Sequence, residues 1–250
     1  MIGSCHDYQV PEPRKISRVR VKLLRWFDEN GRAFPWRKSS ISNYQHIITE
    51  ILLQRTRAET VAGFFPQFIR EYPSWRRLSR ASIEDLQHYL KPIGLWRRRA
   101  VSIRKLALEM TKRNGRFPRE RAEIEALPGI GQYNANAVLL FCHGEPQPLL
   151  DVNMARVLER VFGPRKLVDI RYDPYLQQLA MRVVQCKTPT KLNWAILDLA
   201  SAICLPRKPR CSTCPLVTMC QWAHDHAMIN KGACNHDSGV GIDRVPAGQS

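Results

Sequence analysis

The sequence predicts an all-α fold, and three observations carry that reading. Apolar residues recur at helical spacing along most of the chain, and Gly and Pro fall between such stretches. No segment alternates apolar and polar residues over the length a sheet requires. Residues 1–16 are polar, contain Pro11 and Pro13, and read as an irregular arm. From Ile16 to Phe27 the residues Val19, Val21, Leu23, Leu24, Trp26 and Phe27 alternate with Arg and Lys as an amphipathic helix does. Gly31 ends that stretch, and Phe34-Pro35-Trp36-Arg37 opens a loop. Helices are then expected at 44–55, 60–71, 83–90, 97–113, 121–126 and 132–141. Pro66, Pro73, Pro92, Gly94, Gly115 and Pro118 mark the joints between them. Three more helices are expected at 153–161, 174–184 and 191–203. Trp36 and Trp96 read as core. After Cys220 the chain turns to Gly, Asn, Asp and Ser, so residues 223–250 read as a disordered tail in which His224 and His226 have no role.

The charge balance points to a polyanion. Against 39 Lys+Arg stand 22 Asp+Glu, a net charge of +17. Neutralising phosphates releases counterions and gives salt-sensitive, sequence-independent affinity. With 250 residues and 44% hydrophobic content, the chain has enough material for one large core or two small ones. No apolar run approaches the roughly 20 residues that cross a bilayer, and no signal peptide opens the chain. The scattered Cys5, Cys142, Cys186 and Cys234 read as free thiols in a reducing cytoplasm.

Cys204, Cys211, Cys214 and Cys220 follow another pattern, C-x6-C-x2-C-x5-C within 17 residues. Four thiolates so close can enclose one tetrahedral metal ion or one [4Fe–4S] cube. One ligand stands alone and three crowd together, which favours the iron–sulfur cluster over a zinc knuckle, with two disulfides as a further alternative. A second motif is Leu127-Pro128-Gly129-Ile130-Gly131-Gln132-Tyr133. Two glycines around one apolar residue, at the start of a helix, make a tight hairpin whose free amides suit phosphate.

Taken in order, these residues resemble the helix-hairpin-helix DNA glycosylases of the endonuclease III type. The likeness covers residues 17–222. It includes Thr49-Glu50-Ile51-Leu52-Leu53-Gln54-Arg55-Thr56, the Ile93-Gly94-Leu95 turn and the hairpin. It continues through Asp151-Val152-Asn153-Met154-Ala155-Arg156-Val157 to the cysteine run, whose spacing is that family's [4Fe–4S] signature. The resemblance implies two helical lobes with double-stranded DNA in the cleft between them. One is a six-helix domain at 32–147; the other combines 17–31 with 148–222 and carries the cluster. A monomer at the nucleoid in the cytoplasm is expected, with no membrane partner.

The same resemblance implies roles. Asp151 matches the essential aspartate that stabilises an oxocarbenium-like sugar, although local sequence also reads it as the N-cap of the next helix. Bifunctional members carry a lysine where this chain has Tyr133, and Lys is absent from Leu127 to Asp151. A tyrosine cannot form the imine, so a monofunctional enzyme is expected. Glu50 matches a carboxylate that meets the departing base; its alternative reading is an exposed helix residue. DNA contacts are expected from Gln54, Arg55, Leu127, Gly129, Gly131 and Gln132, and from Arg207, Lys208 and Arg210 of the cysteine loop. Arg55 is expected to fill the space of the flipped nucleotide or reach the widowed guanine, or else to contact phosphate. Arg97, Arg98 and Arg99 read as a patch facing the DNA backbone.

For the excised base, Arg55 stands where Mig-type thymine glycosylases that act on G/T mismatches have Arg, while Ile93-Gly94-Leu95-Trp96-Arg97 and Asp151-Val152-Asn153 depart from the Gly-Leu-Gly-Tyr-Tyr and Asp-Gly-Asn usual in adenine enzymes. The 28 residues after Trp222 are too few for the β-rich domain common in adenine enzymes. Thymine or uracil opposite guanine is therefore expected. A MutY-type adenine glycosylase acting on A·G or A·8-oxoguanine is the alternative, and a non-catalytic iron–sulfur DNA-binding protein is the second.

Overall fold

The computed structural model describes the backbone of residues 11–232 and side chains through residue 226. Among the described residues every regular element is a helix. None is long and apolar enough to cross a membrane.

Helix α1 (Pro13–Asn30) buries Ile16, Val19 and Leu23, one stripe of an otherwise basic helix. Its first four residues, 13–16, fall within the expected irregular arm. Pro13 occupies its first turn, where the missing N–H has no partner to lose and the fixed φ already suits a helix. Residues 1–10 of that arm lie outside the described residues.

Seven helices follow where six were expected: α2 (Asn43–Leu53), α3 (Ala58–Glu71), α4 (Trp75–Ser79), α5 (Ile83–Leu90), α6 (Trp96–Lys112), α7 (Arg121–Glu125) and α8 (Gln132–His143). The additional one, α4, spans five residues, too few for a 3.6-residue period to register. Ser42 starts α2 with a capping box to Gln45. Pro66, read as a joint, instead lies inside α3 on its exposed side. An interior proline costs about 3 kcal/mol. Burying Val61, Phe65 and Phe68 on the opposite side returns roughly 1.5–3 kcal/mol for each, so packing wins. Trp36 lies in this core at 4% exposure, and Trp96 packs against it.

A second core gathers α1 with α9 (Val152–Phe162), α10 (Pro174–Val184), α11 (Pro189–Ala202) and the cysteine loop. The tail is not wholly irregular. Residues 221–232 form α12 (Gln221–Gly232), whose Trp222 packs on this core, with His226 stacked 3.7 Å away and its Nδ1 2.8 Å from the Trp222 carbonyl. Residues 233–250 lie outside the described residues.

Two buried polar groups fix α11 against the rest. The Asn193 amide accepts from Leu149 N–H at 2.7 Å and donates to the Gln147 carbonyl at 3.0 Å. Asp198, fully buried, accepts from Arg32 and, in a bidentate fork at 2.7 and 2.9 Å, from Arg37. The loop after α1 is thereby pinned to α11.

Candidate active site and cysteine loop

α2, α8 and α9 bring three of the expected site residues into one electrostatic group. Asp151 is the N-cap of α9. Its Oδ1 accepts from the backbone of Asn153 at 2.9 Å and Met154 at 2.8 Å, and its Oδ2 accepts from Asn153 Nδ2 at 2.7 Å. The capping role holds, and it does not compete with a chemical one, since a helix start is where a carboxylate charge is favoured.

Glu50 is buried at 6% exposure, so it is not the exposed helix residue of the alternative reading. Tyr133 Oη donates to its Oε2 at 3.0 Å. Burial pushes the Glu50 carboxyl up to about 7; the charge of Asp151 pushes the same way, while the Tyr133 hydrogen bond and Arg37 oppose it. The Tyr133 hydroxyl is held well above its ordinary value, chiefly by burial and then by the two carboxylates, so it remains a donor at neutral pH. Arg37 was not anticipated as a member of this group. Its sequence signal is the aromatic loop around it, since its guanidinium lies over Phe34, Phe27 and Trp194.

The hairpin enters beside this cluster. Leu127 and Ile130 are buried and anchor it, while Gly129 and Gly131 are exposed. The two glycines serve different ends. Gly129 has φ +77°, and a Cβ there would stand 3.2 Å from Ser102 Cβ. Gly131 is extended at φ −103°, caps α8 without a side chain, and has open space where a Cβ would sit. Gly129→Ala is therefore expected to cost about 1–2 kcal/mol from the left-handed backbone alone, whereas Gly131→Ala stays within about 1 kcal/mol. Thermal unfolding of the two variants checks the difference. The Gln132 side chain turns toward the Arg171 carbonyl and Gln177, at 3.5 and 3.4 Å, leaving its backbone amide at the uncapped helix start.

Gln54 and Arg55 are exposed just past the end of α2, one turn beyond Glu50, and Arg55 has φ +54°. Arg97 and Arg98 are exposed, with Arg97 over the Trp96 ring at 4.4 Å. Arg99 departs from the expected DNA-facing patch. At 4% exposure it points into the protein and donates to backbone carbonyls, because on α6 it shares a face with buried Ala100 and Ile103.

The four clustered cysteines lie on the loop after α11. All four are free thiols here. Burial pushes Cys214 up to about 11, and the charges of Cys204, Cys220 and Cys211 add to the effect, as expected of thiols facing one another. Among the described residues no group of three or more His, Cys, Asp or Glu side chains is placed to hold a metal ion. Arg156 and Arg160, four apart on α9, grip this loop. Arg156 donates to the Cys204 carbonyl at 2.8 Å, and Arg160 to the Leu205 carbonyl at 2.8 Å and Cys204 Sγ at 3.3 Å. Their i, i+4 spacing after Asp151 was the overlooked signal: one helix carries the site carboxylate at its start and braces the cysteines along its length. Arg207, Lys208 and Arg210 are exposed at the loop's tip.

The chain is similar to known proteins in sequence and fold. A thymine/uracil-DNA glycosylase of Pyrobaculum aerophilum is 36% identical over 217 residues, covering 85% of this chain and 94% of that protein. A thymine-DNA glycosylase of Aeropyrum pernix is 35% identical over 212 residues, covering 82% and 94%. The solved structure of a thermostable thymine-DNA glycosylase superposes with a TM-score of 0.78 at 30% identity, covering 85% of this chain and 98% of that one. The sequence pattern of one family spans residues 48–186, from the middle of α2 to just past α10, and so takes in Glu50, the hairpin and Asp151 alike. This chain belongs to that family, described as the HhH-GPD superfamily of base excision DNA repair proteins.

Proposed function

We propose that this protein is a monofunctional DNA glycosylase that extrudes thymine or uracil mispaired with guanine, removes the base and leaves an abasic site. The observation that carries the reading is the group formed by buried Glu50, the Tyr133 hydroxyl bonded to it and Asp151. Where an attacking lysine would stand is a tyrosine already engaged as a donor. The names of the relatives, thymine/uracil- and thymine-DNA glycosylase, support thymine and uracil as the bases.

The chemistry follows from the charges. A base inside a duplex shields its sugar carbon, so the nucleotide must leave the stack, and a mispaired one leaves at the lowest cost. As the C1′–N bond breaks, its electron pair departs with the base and positive charge develops on the sugar. Asp151, held at the helix start and unable to rotate away from its three donors, stabilises that charge. Protonated Glu50 donates a hydrogen bond to the pyrimidine anion as it leaves; water adds to C1′, and the proton it sheds ends on the departed base. The lobes at 32–147 and at 17–31 with 148–222 hold the duplex across their cleft. Each has its own core, which suits a monomer. The hairpin amides and Arg207, Lys208 and Arg210 meet phosphates, while Gln54 and Arg55 meet the opposite strand.

Cys204, Cys211, Cys214 and Cys220 hold a [4Fe–4S] cluster in this reading. The C-x6-C-x2-C-x5-C spacing supports this reading, and the Arg160 guanidinium, 3.3 Å from Cys204 Sγ, would offset the cluster's negative charge. Coordination by all four cysteines leaves no open iron, so the cluster's part is structural.

The test is incubation with duplexes containing G·T, G·U, A·G and A·8-oxoguanine, followed by alkali. Cleavage of the G·T and G·U strands only after alkali, with no adduct trapped by borohydride, is the expected result. Preferred cutting opposite 8-oxoguanine would make the protein an adenine glycosylase. Inertness of well-loaded protein on all four would leave a DNA-binding clamp.

A further inference from the structure

Three described non-glycine residues have left-handed backbone: Arg55, Leu95 and Asn114. Two of them, Arg55 and Leu95, sit at exposed tips of separate turns, and Leu95 is 48% exposed. Strained backbone of this kind persists only where the surroundings over-determine it. Here backbone bonds close each turn separately, Thr56 N–H to the Leu53 carbonyl and Gly94 N–H to the Lys91 carbonyl, and one buried side chain reaches both.

The Arg99 guanidinium lies between the turns, at 4% exposure. One nitrogen donates to the carbonyls of Ile93 and Gly94, immediately before Leu95. The other donates to Leu52 at 3.3 Å and Gln54 at 2.8 Å, immediately before Arg55, and to Thr56 Oγ1 at 3.1 Å. Thr56 Oγ1 in turn donates to the Ile93 carbonyl at 3.1 Å, closing a ring between the turns. Among the described residues no carboxylate pairs with Arg99, so its charge is met by oriented carbonyl dipoles and the Thr56 hydroxyl. Burial lowers its pKa, yet a guanidinium starts far enough above neutral to stay charged. A fold that needed only to fill this gap would use an apolar side chain, since a buried charge is costly unless its geometry is used.

We propose that Arg99 is a positioning residue that locks the turns 52–56 and 93–95 into one rigid unit. The unit presents Arg55 and Leu95 together, a charged and an apolar probe, for entry into a duplex opened at the mismatch. The inference rests on the DNA glycosylase reading given above and deepens it: duplex opening depends on a residue that never touches DNA. Lysine cannot replace Arg99, because an ammonium lacks the planar fork that reaches both turns at once.

The test uses the full chain with a G·T duplex carrying 2-aminopurine beside the mismatch, whose fluorescence rises when the stack opens. Wild type, Arg99→Lys, Arg99→Met and Thr56→Val are compared for affinity, fluorescence rise and helical melting. The expected result is affinity within about threefold of wild type, because phosphate contacts remain. The fluorescence rise and the single-turnover excision rate fall together by about tenfold or more in both Arg99 variants, and by less in Thr56→Val. Folded Arg99 variants that open the duplex as wild type does would overturn the proposal. So would loss of folding in all three variants, which would make the arginine a support of the whole lobe. If wild-type protein opens the duplex but excises nothing, the glycosylase reading fails while the fluorescence comparison still decides the role of Arg99.

Discussion

Exchanging Asp151 for Asn lowers base excision from a G·T duplex by about 10²–10³-fold, the scale on which one well-placed electrostatic group contributes to a transition state. The substitution is informative because the residue has two jobs that it separates. Asparagine caps a helix about as well as aspartate, so the bonds to the backbone of Asn153 and Met154 survive. What disappears is the negative charge beside the developing sugar cation, together with the bond from Asn153 Nδ2, so unfolding shifts by about 1 kcal/mol. Single-turnover excision with alkali cleavage, alongside a thermal melt, reads both effects. A variant that excises at the wild-type rate would remove Asp151 from the chemistry.

Glu50→Gln is expected to slow excision by about 10²-fold, at the lower end of what a positioned acid contributes, and to change the pH dependence of both activity and stability. In wild type the carboxyl titrates at about 7. The protonated form is the donor, so the rate declines as pH rises above 7, and the glutamine variant loses that decline. The sign for stability follows from the same shift. A carboxyl whose folded pKa is raised above its unfolded value, near 4.5, favours the fold below that value; the contribution is lost as pH rises to about 7. The full loss is roughly 3 kcal/mol. Above pH 7 the glutamine variant therefore unfolds at higher temperature than wild type, and at pH 4 the two converge. Melting curves at pH 4, 6 and 8 check this, and parallel curves would show that burial does not hold Glu50 neutral.

Glu50 also shows how much of the site was legible. Helix α2 reads Asn-Tyr-Gln-His-Ile-Ile-Thr-Glu-Ile-Leu-Leu, apolar on nearly every side after its first turn. A glutamate in such a stretch has little chance of reaching water, so its burial was readable, but its partner was not. Tyr133 lies 83 residues away, and its hydroxyl direction depends on the packing of α2 against α8. Asp198 is a stronger case. Nothing local to Asn193-Trp194-Ala195-Ile196-Leu197-Asp198 indicates that Arg32 and Arg37, more than 160 residues earlier, will close on it. Arg99 misleads in the other direction. Three consecutive arginines resemble a solvated patch, and only the helical phase, with Ala100 and Ile103 as neighbours on its face, hints that the third turns inward.

The chain by itself determined its helices, its four-cysteine spacing, its basic surface and the tyrosine at 133 in place of an amine. Each is a property of residue identity or of neighbours a few positions apart, where helical period and turn chemistry operate. Only the tertiary structure decided that Glu50 meets Tyr133 and Asp151, that Arg37 modulates it, and that Arg99 joins two turns instead of facing solvent. Those outcomes depend on desolvation and on the fields of groups brought together from distant segments. No window of sequence contains either.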